Sequence, residues 1–220
     1  FLFCNTYADL GVTNTPTMPY NKPPLSHEEV VTLRNWIDAG APNSGGKIPF
    51  ADNSNRSKVY VTNQGCDVVT VFDAATHLQM RYINVGVNGS VESPHSVKVA
   101  PDGKHWYVVF NDTASHLQKF RTSDDVKVGE LDISLGTWSS FSISNDSKFG
   151  FAVDWNPDGR IAHIDLESMT LLGGSPWSGF WDAYGSAINA KGDTLLVTAS
   201  VGNYIHKVPV NNPAILLQTV

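Results

Sequence analysis

Lys104-His105-Trp106-Tyr107-Val108-Val109 is one of four lines in this chain that read as the same β-strand. The others are Ser57-Lys58-Val59-Tyr60-Val61-Thr62, Lys148-Phe149-Gly150-Phe151-Ala152-Val153 and Asp193-Thr194-Leu195-Leu196-Val197-Thr198. With Tyr60, Tyr107, Phe151 and Leu196 as equivalents, the steps between them are 47, 44 and 45 residues. Three of the lines follow a turn rich in Asp, Asn and Gly: Pro101-Asp102-Gly103, Asn145-Asp146-Ser147 and Ala190-Lys191-Gly192. Those are the residues that tight hairpins require. Each turn is preceded by an alternating strand, Ser96–Val99, Ser140–Ile143 and Ser186–Ile188, and each line is followed by a third strand, Val68–Phe72, Leu117–Phe120, Arg160–Ile164 and Tyr204–Val208. A fourth strand closes the unit, as in Gln79–Ile83 and Lys127–Leu131.

Four short antiparallel strands recurring at about 45 residues mark the blade of a β-propeller, whereas a sandwich has no fixed period. The expected fold is therefore all-β: about four four-stranded propeller blades over residues 56–220, part of a larger propeller, behind a short N-terminal helical segment. The first unit lacks its innermost strand and the last ends at Val220 directly after a fourth strand, so the native chain is expected to continue beyond Val220.

Residues 26–39 predict one helix. Ser26 is an N-cap, and Glu29 three residues on completes a capping box in which hydroxyl and carboxylate each satisfy a free backbone N–H. Val30, Leu33, Trp36 and Ile37 recur on one face, Gly40 supplies the left-handed stop, and Pro42 forbids continuation. So short an amphipathic helix needs a partner for its apolar face. Residues 1–43 are read as one unit, 44–55 (with Asn43-Ser44-Gly45-Gly46 at its start) as a linker, and 56–220 as the propeller.

Val59-Tyr60-Val61-Thr62-Asn63 with Val69-Thr70-Val71-Phe72-Asp73 resembles the YVTN propeller family, as does Ser93-Pro94-His95-Ser96-Val97-Lys98-Val99-Ala100-Pro101-Asp102-Gly103-Lys104. The resemblance implies a propeller of the bacterial or archaeal exterior. Met18-Pro19, followed by the helix and Trp36-Ile37-Asp38-Ala39-Gly40-Ala41-Pro42, resembles the C-terminal end of small c-type cytochrome domains. That resemblance implies haem c as cofactor, with the Met18 thioether as the sixth ligand of iron. The family's CxxCH attachment motif is not in this chain, whose two cysteines are Cys4 and Cys66.

A net charge of −6 without clustered Lys and Arg argues against nucleic acid as a partner. No apolar run approaches the length of a membrane span. Phe1-Leu2-Phe3-Cys4 fits a lipoprotein signal poorly. Nucleophile elbow, phosphate-binding glycine loop, HExxH and cysteine metal cluster are all missing, so an unassisted catalytic apparatus is unsupported.

Residues opening each innermost strand line the channel mouth of a propeller. They make His95, Trp138 (beside Ser139), Trp181 and Tyr184 the ligand-binding candidates, with His95 a metal or haem ligand, a general base, or a hydrogen-bonded turn residue. His163 and His206 are read as near-equivalent positions of third strands, and His77, His105 and His116 as surface or turn residues. Asp154–Gly159 has oxygen donors like a calcium loop, but its spacing reads as an Asx-type turn. Three functions follow. The first is an extracytoplasmic electron-transfer protein, periplasmic or at the cell surface, joining a c-type cytochrome module to a propeller that binds a protein redox partner. The second is a non-catalytic envelope propeller that contacts protein or glycan. The third is a propeller redox enzyme with its site at the channel mouth.

Overall fold

The computed structural model describes residues 9, 21–53, 55–87, 91–112, 114–156, 159–176, 183–213 and 218–220. Met18 and Trp181 lie outside them. The chain divides into two compact units, Phe1–Ser54 and Asn55–Val220.

In the first unit, helix α1 spans His27–Asp38. Its capping box is formed: the Glu29 N–H donates to Ser26 Oγ at 3.3 Å, and the Ser26 N–H donates to Glu29 Oε2 at 2.7 Å. At the other end Gly40 takes a φ of +87°. This lets its N–H reach the Ile37 carbonyl while the Ala41 N–H returns to Trp36, the paired bonds of a Schellman stop. The Trp36 indole N–H donates to the Pro42 carbonyl at 2.8 Å, tying the exit of the helix to its last turn. Val30 is buried, whereas Trp36 and Ile37 of the same apolar stripe remain exposed.

The second unit is four antiparallel sheets in chain order. Blade 1 has β1 (Lys58–Asn63), β2 (Val68–Asp73) and β3 (Gln79–Asn84). Blade 2 has β4 (Pro94–Val99), β5 (His105–Phe110), β6 (Ala114–Arg121) and β7 (Lys127–Gly136). Blade 3 has β8 (Trp138–Ile143), β9 (Phe149–Asp154), β10 (Arg160–Asp165) and β11 (Thr170–Pro176). Blade 4 has β12 (Ala183–Ile188), β13 (Thr194–Ala199), β14 (Ile205–Pro209) and β15 (Gln218–Thr219). This is the expected propeller-blade architecture. The four aligned strands each begin one residue later than the sequence suggests, because Lys104, Lys148 and Asp193 belong to the preceding turn. Those turns put Gly103, Ser147 and Gly192 in the left-handed region, each closing an N–H onto the carbonyl three residues back.

Alternation along β5 sends Trp106, Val108 and Phe110 against blade 1, and Tyr107 and Val109 against blade 3. Three clusters of buried residues result, one in each seam. Blades 2 and 3 meet closely at Gly136, where an added Cβ would stand 2.9 Å from the Arg160 guanidinium and from the Trp138 ring. Burying each large side chain here contributes about 1.5–3 kcal/mol, and no blade can hide both of its faces alone.

The register also corrects two readings. His163 pairs with Phe151 and His206 with Val197, so the residue equivalent to His163 in blade 4 is Lys207, opposite Leu196. A one-residue offset puts a side chain on the other face of its sheet. The two histidines therefore face one another's blades across a single seam. His116 is not a surface residue: it is buried beside Phe110, with Nε2 3.8 Å from the carboxylate of the equally buried Glu92.

Candidate functional site at the blade mouths

Each innermost strand carries a β-bulge at the same place. Pairing slips between Pro94 and Ser96, between Trp138 and Ser140, and between Ala183 and Gly185. The extra residues are His95, Ser139 and Tyr184. A bulge breaks alternation and re-aims the side chain that it carries, which is why bulges gather at binding sites. It also explains why strict alternation finds these strands starting only at Ser96, Ser140 and Ser186.

His95 and Tyr184 meet edge to face, ring centroids 5.9 Å apart, although they belong to blades 2 and 4. Trp155, from the β9–β10 loop, stands edge-on to Tyr184 at 5.5 Å, and its indole N–H donates to Ser200 Oγ at 2.9 Å. The backbone carbonyl of His95 accepts from Thr62 Oγ1 at 3.2 Å, and its Nδ1 is bonded by the Gln64 side-chain amide. Gln64 sits on a short 3₁₀ turn, Gln64–Cys66, between β1 and β2. With the amide N–H as donor, the imidazole proton lies on Nε2 and that edge of His95 is a donor. Burial holds the His95 pKa below its ordinary value, so the ring is neutral at pH 7.

Ser139 is buried, and its hydroxyl is directed at the carbonyls of Val153, Ala183 and Tyr184, 2.9–3.3 Å away. A hydroxyl whose proton is committed to carbonyls is not an activated nucleophile, since activation requires a base to take that proton. One rung deeper, Ser140 and Ser142 each share a hydrogen bond with Ser186 at 2.8 Å, and the Phe141 N–H donates to Ser96 Oγ. These hydroxyls lace the innermost strands together and hold the mouth residues in place.

Trp138 does not join this group. It is 1 % exposed, its N–H goes to the Ser134 carbonyl, and the Arg160 guanidinium covers its ring at 5.4 Å. Arg160 is in turn held by the buried Asp154 through Nε at 2.8 Å. Asp154 Oδ1 accepts from the N–H groups of Thr137 and Asn156, the Asx-turn arrangement. Its oxygens are thus spent on the fold. Among the described residues no group of three or more His, Cys, Asp or Glu is placed to hold a metal ion.

Covalent haem attachment needs two thiols at CxxC spacing followed by His. Cys66 is an exposed free thiol 62 residues from Cys4, so the residues of this chain do not themselves fit that attachment. No helix among the described residues is long and apolar enough to cross a membrane. Gln64 and Trp155 are the mouth residues that sequence reading missed. Both come from loops between second and third strands, where no periodicity marks a residue as facing the axis.

No family model and no curated protein matches this chain. Among solved structures it is similar to the hydrazine synthase of Kuenenia stuttgartiensis, with a TM-score of 0.64 and 18 % identity over 74 % of this chain. The match covers 45 % of that chain, so this sequence corresponds to under half of its length. Matches extend to 1286 solved chains in all, and a fold shared so widely carries no activity by itself. The similarity is one of fold: the second unit is a set of β-propeller blades.

Proposed function

We propose that this chain is the binding scaffold of an exported, redox-associated propeller protein, and that its partner docks at the mouth formed by His95, Tyr184 and Trp155. The observation that carries this reading is the triple bulge, which brings the rings of blades 2 and 4 together. Half-exposed aromatics with one N–H donor, and among the described residues no activated nucleophile beside them, suit recognition better than turnover. The redox association is supported by the likeness to a synthase whose product, hydrazine, is a reduced nitrogen compound. It is supported also by the resemblance of residues 18–42 to the end of a c-type cytochrome domain. On that reading α1 and its Schellman stop form the last helix of a cytochrome module, Met18 would hold the haem iron, and the attachment cysteines would come from outside these 220 residues. The YVTN resemblance supports placing the protein in the periplasm or at the cell surface.

Two measurements test this. The visible spectrum of the native protein should show a c-type haem band that shifts when Met18 is replaced by His; a protein purified without such a band overturns the haem assignment. Separately, Trp155 fluorescence should change on titration with a small reduced c-type cytochrome. Tyr184→Ala should weaken that binding about tenfold or more, as loss of a central aromatic anchor does. Unchanged affinity in Tyr184→Ala moves the docking site away from the mouth.

A further inference from the structure

At the end of the blades opposite the mouth, successive blades are joined by lysines, and one seam lacks them. The residue after each third strand or its equivalent hydrogen-bonds back to the turn before the second strand. Thr122 N–H donates to Lys104 O, Leu166 N–H to Lys148 O, and Val210 N–H to Asp193 O, which makes Thr122, Leu166 and Val210 equivalent. Between blades 1 and 2, the Lys58 ammonium donates to the Thr122 carbonyl at 2.6 Å and to Asp125 at 2.9 Å. Between blades 2 and 3, the Lys119 ammonium donates to the Leu166 carbonyl, again at 2.6 Å. Both ammonium groups thus reach the same carbonyl of the next blade.

Between blades 3 and 4 neither lysine exists. Lys58 pairs with Asp73 as Phe149 pairs with Asp165, so Phe149 holds the Lys58 position. Lys119 pairs with Tyr107 as His163 pairs with Phe151, so His163 holds the Lys119 position. The blade 4 residue facing them is Leu195, where blade 2 carries the larger Trp106. A cavity of about 390 Å³ opens at this point, lined by Asp146, Phe149, His163, Lys191, Val210 and Asn211, among others. His163 Nε2 is buried there without a hydrogen-bond partner among the described residues, and the ring lies stacked on Phe151 and tilted to Phe149.

We propose that this cavity binds a small alkylammonium cation, its ammonium group taking the place that Lys58 and Lys119 fill in the other two seams. The Val210 carbonyl is the third in the series of acceptors. Asp146 supplies a carboxylate, kept ionised by the Ser144 hydroxyl that donates to it at 2.6 Å. Phe149 and Val210 offer an apolar wall for the alkyl part, and the aromatic faces favour a cation. Lys191, the cation on the rim, is largely exposed and neutralised by Asp193 at 2.7 Å. The imidazole of His163 is held below its ordinary pKa by burial and is neutral at pH 7, so it does not repel the ligand. The inference is independent of the redox reading.

The probe is butylammonium chloride, which matches the lysine side chain, tested on the whole chain at pH 7.5 against equal sodium chloride. The expected result is a saturable shift of the His163 ring-proton resonances and a rise in Tm that sodium chloride does not reproduce. His163→Lys restores the residue found at position 119. It should raise Tm without ligand and abolish the response to butylammonium. Should His163→Lys fail to fold, Phe149→Lys, which restores the residue of position 58, should likewise abolish the response. Equal effects of butylammonium and sodium chloride on the wild type overturn the proposal, as does a response that survives in a folded lysine variant. A response given equally by sodium acetate overturns the cationic class of the ligand.

Discussion

The seams on either side of the blade array solve one packing problem with different chemistry. Blade 1 meets blade 2 around a buried charge. Lys58 and Asp125 are almost wholly enclosed, and Asp125 also accepts from Tyr60 Oη at 2.8 Å and from the Trp106 indole at 3.2 Å. That enclosure and the neighbouring carboxylate push the Tyr60 hydroxyl well above its ordinary pKa, so it stays a donor. Blade 3 meets blade 4 through aliphatic packing of Val153, Ile161, Leu195, Val197 and Val208 and the Ser140–Ser186–Ser142 hydroxyls. The difference shows that the repeat specifies where blades touch, while the residues at each contact decide whether charge, hydroxyl or apolar surface closes it. A buried ion pair is weak as a source of net stability but costly to break on one side.

The largest expected effect breaks the charged seam. Lys58→Met leaves the enclosed Asp125 with only the partly exposed Arg81, 3.7 Å away, as its cation and should cost about 3 kcal/mol. Adding Asp125→Asn, a residue that tolerates the positive φ at that position, should recover most of the loss. Urea unfolding of the single and double variants measures both. A loss below about 1 kcal/mol in the single variant would show that the pair is solvated rather than enclosed.

The neutral seam should respond less. Ser186→Ala removes two hydroxyl contacts between blades 3 and 4 and should lower stability by about 1–3 kcal/mol, the cost of leaving buried polar partners unpaired. If Ser186→Ala proves as damaging as Lys58→Met, the two seams are equivalent in strength and the contrast drawn here fails.

The smallest effect is on pH dependence. Burial lowers the pKa of His163 and His206, which both face the seam between blades 3 and 4. Because their folded values lie below the unfolded value of about 6.5, the unfolded chain binds more protons in that window. Stability is therefore full above it and declines as pH falls through the folded values. His163→Gln should flatten the Tm-versus-pH slope between about pH 7 and 5. An unchanged slope would assign the acid sensitivity to His206, His95 and His105, which burial shifts in the same direction.

The distance from sequence to site can be measured at single residues. Ser26, Glu29 and Gly40 could be read directly, because a capping box and a left-handed stop are local and involve residues a few positions apart. His95 and Tyr184 could be picked as strand openers, but nothing in their spacing of 89 residues says that their rings touch. Trp138, one residue from the bulge, was legible as an aromatic and illegible as a buried one. The bulge turns Ser139 out of register and leaves its neighbour in the core.

By itself the sequence determined the blades: a strand cassette repeated at a near-constant interval, whose apolar alternation on both faces must be hidden by neighbours of the same kind. It also determined the capped helix, for which every needed hydrogen bond lies within one or two turns. Only the tertiary structure decided which blade faces which residue across a seam. That choice depends on register, where one position reverses a side chain, and on volumes summed from strands far apart in the chain. Lys58 finding Thr122, and Phe149 and His163 finding a cavity in the equivalent place, are outcomes of that summation.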